Sequence, residues 1–358
     1  MRGVGSQYAC LVEGVLVSVA VRVHEEDVAF SQEAEIAARK GIRIYRGDVS
    51  RHYAKWPRPT VIISDGPYGL ASFPGDPPTV DSLVEFYEPH VKAWAEYALP
   101  SATLWFWNSE LGWATVHPLL AKHGWEYRGC HIWNKGRAHV AGNANTKTLR
   151  KLPVVTEVCV QYVRQVTLPA PGVLQPLPLK EWLRHEWERT GLPLTLTNAA
   201  CGVANAATRK YFTKDHLWYF PPAQAFERLV AYANIHGRTE GRPYFAAGRS
   251  RPLSGEEWEA LRAKFYCPFG VNNVWTEPAL RSEERMKHGS GFLHANQKPL
   301  ALMRRIIEVS SNPEDVVWEP FGGLCSGAIA ALSLNRHCYS AEILPEFFAA
   351  AVRRLHHA

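Results

Sequence analysis

Val316-Val317-Trp318-Glu319-Pro320-Phe321-Gly322-Gly323-Leu324-Cys325-Ser326-Gly327 reads as a short buried strand, a glycine-bearing turn and the start of a helix expected over Ser326 to Leu334. Ligands of open α/β sheets bind outside the carboxyl ends of the strands, so a turn at this place is a candidate binding corner. Gly322 and Gly323 remove Cβ atoms and so permit close approach to the main chain. The turn has neither the G-x-G-x-x-G of a dinucleotide site nor the Gly-Lys-Ser/Thr of a phosphate loop. The next strand, Cys338 to Ala341, ends at Glu342, twenty residues past Gly322, and a carboxylate at that spacing suits ribose hydroxyls. Taken alone, the turn also fits a purely structural bend.

The same strand-turn-helix rhythm recurs on either side. Downstream, Pro345 to Leu355 reads as a terminal helix; upstream, Leu300 to Val309 reads as another. Far earlier, Ile42 to Tyr45 and Val61-Ile62-Ile63 are β-branched runs suited to strands buried on both faces. A helix is expected over Val80 to Ala98, a strand over Thr103 to Trp107, a helix over Trp113 to His123 and a strand over Tyr127 to Trp133. Strands alternating with helices predict an α/β fold with a largely parallel sheet covered on both faces. Near Gln165 the alternation stops. Pro-rich Leu168-Pro169-Ala170-Pro171 and Pro176-Leu177-Pro178 read as a linker, followed by short helices at Lys180 to Arg189, Thr197 to Ala200 and Asn205 to Phe212. The last two, joined at Gly202, are similar to a helix-turn-helix whose second helix would present Thr208, Arg209 and Lys210. The organisation expected is therefore 1–165 and 285–358 as two parts of one α/β domain, with 166–284 as a mainly helical insert.

Composition sets bounds on function. With 358 residues, 46% hydrophobic and 21% charged, the chain resembles a soluble globular protein. Leu11 to Val23 is broken by Glu13 and Arg22, and no twenty-residue apolar run occurs, so a cytosolic protein with no membrane partner is expected. Seven cysteines at scattered positions, with no C-x-x-C pair, point away from a disulfide framework or a zinc cluster, and no metal is expected. The net charge of +6 is uneven: residues 128 to 252 hold eighteen Lys/Arg against seven Asp/Glu, leaving the remainder net negative. The middle of the chain is thus the part suited to a polyanion, or to a solvated basic face.

Asp65-Gly66-Pro67-Tyr68 follows Val61-Ile62-Ile63 as the glycine turn follows its own strand. An aromatic amine is a poor nucleophile because its lone pair is delocalised. A carboxylate and a carbonyl that accept its two N–H bonds stabilise the positive charge developing on nitrogen. Asp65 can supply the carboxylate, Gly66 or Pro67 the carbonyl, and Tyr68 a ring for an extruded base to stack on. A plain Asp-Gly-Pro turn is the structural alternative.

With both turns in view the chain resembles the amino-methylating DNA methyltransferases, whose Asp-Pro-Pro-Tyr is similar to Asp65-Gly66-Pro67-Tyr68 and whose Asp-Pro-Phe-x-Gly-x-Gly is similar to Glu319-Pro320-Phe321-Gly322-Gly323. His294-Ala295-Asn296-Gln297-Lys298-Pro299-Leu300 resembles the His-x-x-Gln-Lys-Pro of the circularly permuted beta class. The resemblance covers about residues 40 to 165 and 285 to 350. It implies a permuted Rossmann-like methyltransferase sheet, S-adenosylmethionine as cofactor, and a target-recognition region in the insert. Cofactor contacts are implied for Asp48, Asp65, His294, Gln297, Lys298, Pro299, Glu319, Pro320, Phe321, Gly322, Gly323, Ser326 and Glu342, with His294 read as an ordering residue. Two departures stand out: Gly66 for proline, which is expected to loosen the loop, and Glu319 for aspartate, which lengthens the reach by one methylene. Permutation also implies that the strand beside Cys338 to Ala341 is supplied by Ile42 to Tyr45, bringing Gly47-Asp48 beside the cofactor.

From Trp133 to Lys151 the chain carries Lys135, Arg137, Lys147, Arg150 and Lys151 and no acid, which suits phosphate contacts from a rim loop, or a solvated loop. Trp133 is expected in the core, and Trp218 to Pro222 in packing of the insert. The leading expectation is methylation of adenine N6 in duplex DNA. Cytosine N4, a related RNA or protein-amide target, and a helix-turn-helix regulator with an inactive transferase body are the alternatives. The partners expected are double-stranded DNA, a restriction endonuclease on a separate chain, and a second copy forming a homodimer.

Overall fold

The computed structural model describes residues 8–12, 15–19, 36–71, 73–136, 150, 152–239, 243–280, 284–288, 291–293 and 296–358. Nine strands among the described residues share one sheet: β1 (Ile36–Arg39), β2 (Ile42–Arg46), β3 (Val61–Ser64), β4 (Thr103–Asn108), β5 (Trp125–Asn134), β6 (Thr156–Arg164), β7 (Val274–Trp275), β8 (Val316–Glu319) and β9 (His337–Glu342). Their order across the sheet is β7-β5-β6-β4-β3-β8-β9-β2-β1. From β4 through β3, β8 and β9 to β2 the strands run parallel. β6 is antiparallel to both of its neighbours. The pairing of β9 with β2, from Cys338 opposite Ile42 to Glu342 opposite Arg46, is the one that permutation required.

The helices are α1 (Leu83–Tyr97), α2 (Glu110–Lys122), α3 (Leu179–Arg189), α4 (Thr197–Ala200), α5 (Ala223–His236), α6 (Gly255–Glu259), α7 (Leu300–Ser310), α8 (Ser326–Ser333) and α9 (Pro345–His357). Period-two alternation divides the core. Ile62, Leu104, Phe106 and Trp318 point to the face covered by α1 and α2. Val61, Ile63, Trp105 and Val317 point to the face covered by α7, α8 and α9. Leu83, Tyr87, Val91 and Trp94 of α1 recur on one stripe and are buried, as a half-covered helix requires. α2 starts at Ser109, whose hydroxyl accepts from the Gly112 N–H at 3.1 Å.

Between β6 and β7 the chain closes a core of its own around Trp182, Trp187, Phe226 and Trp258, with α3, α5 and α6. Phe220 stacks on Trp258 with centroids 4.4 Å apart, and Trp133 is buried in the main core. The helix-turn-helix is not formed. α4 has four residues, and in place of a helix over Asn205 to Phe212 there is a five-residue 3-10 turn, Thr208–Phe212. The reason is local: the Thr208 hydroxyl turns inward to Thr197 Oγ1 at 2.8 Å and to Asn198, so side chains compete with the helical ladder. β7 returns the chain to the sheet, pairing with Ile132 and Trp133 of β5 well ahead of residue 285.

Candidate active site

β3 and β8 lie side by side, with Val61 opposite Val317 and Ile62 opposite Trp318. The turns that follow them therefore leave the sheet together. From β3 the chain proceeds by α1 to β4, and from β8 by α8 to β9 on the other side, which makes this border the switch point of the sheet. Between the turns lies a cavity of about 230 Å³, lined by Asp65, Gly66 and Pro67, by Glu319 through Leu324, and by Asp48, Lys298 and Glu342.

At the first corner charges alternate. Asp65 Oδ1 accepts from Lys298 Nζ at 2.7 Å and from the Tyr68 hydroxyl at 3.1 Å. Lys298 Nζ also reaches Glu157 Oε1 at 3.0 Å. Glu157 Oε2 in turn holds Lys135 Nζ at 2.6 Å. The Tyr68 hydroxyl lies against Glu157 as well as Asp65, and its one proton goes to one of them at a time. Tyr68 is buried beneath Lys298, whose Nζ is 5.5 Å from the ring centroid, so its ring is committed to the network. Asp76 holds the loop by accepting from the N–H groups of Tyr68, Gly69 and Leu70 at 3.1, 2.9 and 3.1 Å.

The Pro67 carbonyl accepts from the Tyr87 hydroxyl at 3.0 Å and from Asn108 Nδ2 at 3.1 Å, which uses both of its lone pairs. Of the two carbonyls considered from sequence, Gly66 is the one left for a ligand. Gly66 itself does not loosen the corner. A Cβ there would sit 2.6 Å from the Phe321 ring and 2.6 Å from the Tyr87 hydroxyl, so glycine is what allows the two turns to touch.

Burial pushes the Asp65 carboxyl above its usual range, against the pull of Lys298 and with a further push from Glu157. Burial also opposes charge on Glu157, but Lys298 and Lys135 together hold it down at about 2. The two acids differ because Glu157 has two cations and Asp65 shares one. For Lys298 burial works against the charge, yet Asp65 and Glu157 hold the ammonium above its usual value.

At the second corner neither acid forms an ion pair among the described residues, although the Arg354 guanidinium feels the Glu319 charge. Glu319 accepts from the Gly327 and Ala328 N–H groups at 2.7 and 2.9 Å, capping α8, rather than reaching outward. Burial raises its carboxyl to about 8 despite those bonds. Glu342 accepts from the N–H groups of Gly323 and Leu344, both at 2.7 Å, and burial raises it to about 7. Gly323 is left-handed, with φ of +53°. The hydrogen in place of a Gly322 side chain faces the protein, since a Cβ would meet Ser340 Oγ at 2.6 Å and Cys325 Sγ at 2.9 Å. Its role is thus close packing on β9, where ligand approach was expected. Ser326 lines the cavity and accepts from Arg354 at 2.8 Å. Asp48 lines it too, with Oδ1 on the Ser50 N–H at 2.8 Å, while Gly47 donates to the Glu342 carbonyl at 2.8 Å.

Other expected residues are placed elsewhere. Gln297 bridges the Met286 N–H at 3.0 Å and the Glu284 carbonyl at 2.7 Å, and Pro299 precedes α7 as its N-cap, so among the described residues of this segment it is Lys298 that lines the cavity. Lys135 is spent on Glu157, its side chain 14% exposed. Thr208 is buried, against the expected DNA contact, whereas Arg209 and Arg150 are exposed. Lys210 Nζ sits 5.3 Å from the Tyr219 ring centroid. His294, Arg137, Lys147 and Lys151 lie outside the described residues. Glu157 was not foreseen. Its signal was an acid immediately before Val158-Cys159-Val160-Gln161-Tyr162-Val163, a run that reads as a buried strand.

Residues 264–353 match a family model described as DNA methylase. The DNA adenine methyltransferase YhdJ of Escherichia coli (strain K12) is 38% identical over 85 residues, 23% of this chain and 27% of that protein. The type II methyltransferase M2.MboI of Moraxella bovis is 34% identical over 170 residues, 48% of each. The type II methyltransferase M.BglII of Bacillus subtilis is 36% identical over 141 residues, 38% of this chain and 32% of that protein. The chain spans about half the length, or less, of these curated relatives. A crystal structure of an M1.HpyAVI-SAM complex shares the fold, with a TM-score of 0.50 at 16% identity over 88% of this chain and 98% of that one. The similarity to the DNA methylase family model thus falls on residues 264–353, the part of the chain that carries Lys298, Glu319 and Glu342.

Proposed function

We propose that the protein is a site-specific DNA methyltransferase that uses S-adenosylmethionine to methylate the N6 amine of an adenine flipped out of duplex DNA. The observation that carries this reading is the single cavity shared by the Asp65 and Glu319 corners. Its chemistry fits the cofactor: Glu319 and Glu342 are buried acids with no ion pair among the described residues, suited to an ammonium and to ribose hydroxyls respectively. When bound, the cofactor supplies an electrophilic methyl group. Asp65 and the Gly66 carbonyl accept the two N–H bonds of the target amine and so stabilise the charge that develops on nitrogen. Lys298 keeps Asp65 ionised for that task. Phe321, packed on Gly66, fixes the distance between the corners.

The helical insert is the proposed target-recognition region, with Arg209, Arg137, Lys147, Arg150 and Lys151 as the proposed phosphate contacts. Aspartate at position 65, where cytosine-N4 enzymes tend to carry serine, favours adenine. A restriction endonuclease on a separate chain and a homodimer are the partners this reading carries forward. Among the described residues no helix is long and apolar enough to cross a membrane.

The test is nucleoside analysis of DNA from cells expressing the wild type beside Asp65→Ala. N6-methyladenine from the wild type, absent with the variant, is expected. N4-methylcytosine alone would move the assignment to cytosine, and preferential methylation of structured RNA would move it off DNA. Identical profiles from both proteins would remove the proposed site.

A further inference from the structure

Glu157 lies within reach of the amine corner but stays behind it, and no motif accounts for it. It is 4% exposed on β6. Its Oε1 takes Lys298 Nζ at 3.0 Å and the Tyr68 hydroxyl, the same two donors that hold Asp65, and its Oε2 takes Lys135 Nζ at 2.6 Å. The Lys135 N–H donates to the Val155 carbonyl at 2.9 Å, just past the end of β5 and just before the start of β6. A buried carboxylate satisfied by two cations is costly to assemble, and an apolar residue of similar size would serve stability as well or better. The arrangement therefore calls for a role beyond packing.

We infer that Glu157 is a positioning residue for methyl transfer: by competing with Asp65 for the Lys298 ammonium it keeps the Asp65 carboxylate basic enough to accept an amine N–H, and Lys135 sets how strongly it competes. This deepens the proposed function and rests on it. The physical argument is one of sharing. An ammonium divided between two carboxylates withdraws less charge from each than one devoted to a single partner. Without the Glu157 charge, Lys298 turns wholly to Asp65 and the acceptor weakens. Without Lys135, Glu157 has only Lys298 to hold, so it draws the ammonium away and Asp65 strengthens. The other titratable groups facing the cluster are the Tyr68 and Tyr87 hydroxyls and the Cys159 thiol, all held protonated by burial, and Glu319, whose buried carboxyl is raised to about 8 and also feels the Asp65 charge.

Two readouts on the full chain test this. In the cofactor-free protein, carbon-13 NMR of labelled aspartate, assigned with Asp65→Asn, follows the Asp65 titration directly. In the cofactor-loaded protein with saturating duplex, the single-turnover methylation rate is measured against pH. Glu157→Gln should move the Asp65 titration and the acid limb of the rate to lower pH, and slow transfer about tenfold, the equivalent of one unit of acidity. Lys135→Met should move both in the opposite direction, a reversal that general loosening of the fold cannot produce. Shifts of the same sign in the two variants, or an Asp65 titration unchanged in both, would overturn the inference. A wild type that transfers no methyl would instead strike the proposed function, while the NMR titration would still decide how Lys298 is shared.

Discussion

Replacing Lys298 by methionine removes the ammonium 2.7 Å from Asp65 and 3.0 Å from Glu157 while keeping the length of the side chain. Glu157 retains Lys135, but Asp65 is left with the Tyr68 hydroxyl. Breaking a buried pair by removing one partner costs about 3 to 5 kcal/mol, because the other charge stays buried and uncompensated. Asp65, with a side chain 16% exposed, escapes part of that cost by taking up a proton. The sign follows from the direction of its shift. Its carboxyl is already raised in the fold above the unfolded value, and loss of Lys298, which pulls it down, raises it further. A group raised in this way supports folding below its unfolded value of about 3.9 and loses that support as pH rises through the folded value. The deficit of Lys298→Met should therefore grow between about pH 5 and about pH 8, where it approaches ~3 kcal/mol, on top of a part from the lost Glu157 pairing that both pH values share. Urea denaturation of both proteins at the two pH values measures it, through the midpoint at constant slope. An equal deficit at both pH values, or one below about 1 kcal/mol at the higher, would refute the account of Lys298 as the counter-charge of Asp65.

Gly66→Ala should drive a methyl group into the Phe321 ring and the Tyr87 hydroxyl, costing about 1 to 3 kcal/mol and weakening cofactor binding as Phe321 is displaced; unchanged melting temperature and affinity would show that the two turns do not press on each other. Cofactor binding near pH 7 should release protons, because Glu342 sits at about 7 in the free protein and hydroxyl donors favour its ionised form. Calorimetry in two buffers of different ionisation enthalpy reads this, and Glu342→Gln should abolish its share, whereas proton uptake by the wild type would contradict the assignment. The same raised carboxyl makes free-protein stability fall as pH rises from about 4.3 towards 7, a slope that Glu342→Gln should flatten.

The sheet was legible because its central strands are β-branched runs buried on both faces, and each ends in a turn with its own chemistry. Val61-Ile62-Ile63 before Asp65, and Val316-Val317-Trp318 before Glu319, needed only adjacency to define a site, and their register supplies it. Even the partnership of Ile42 to Tyr45 with the last strand followed from topology. The insert resisted for a different reason. Segments of four or five residues carry too little periodicity to tell a helix from a 3-10 turn, and Thr208 settles the matter through side-chain bonds to Thr197 and Asn198. Glu157 was hidden because its partners are separated from it by 89 residues at Tyr68 and 141 at Lys298. The glycines carry a role that the pattern did not show: Gly66, expected to loosen its loop, and Gly322 both make room for protein atoms while they line the cavity.

The position of β8 has a consequence for synthesis. β3 and β2, which precede residue 65, are joined in the finished sheet only through β8 and β9, whose residues begin at Val316. Until the ribosome has released that late stretch, each early strand carries an open backbone edge facing the missing centre. Closure then waits on contacts between residues some 250 positions apart, a topology that folds slowly and leaves nascent chains open to pairing with one another. Chaperone capture or a low growth temperature should accordingly raise the soluble yield of this protein more than that of one whose central strands emerge first.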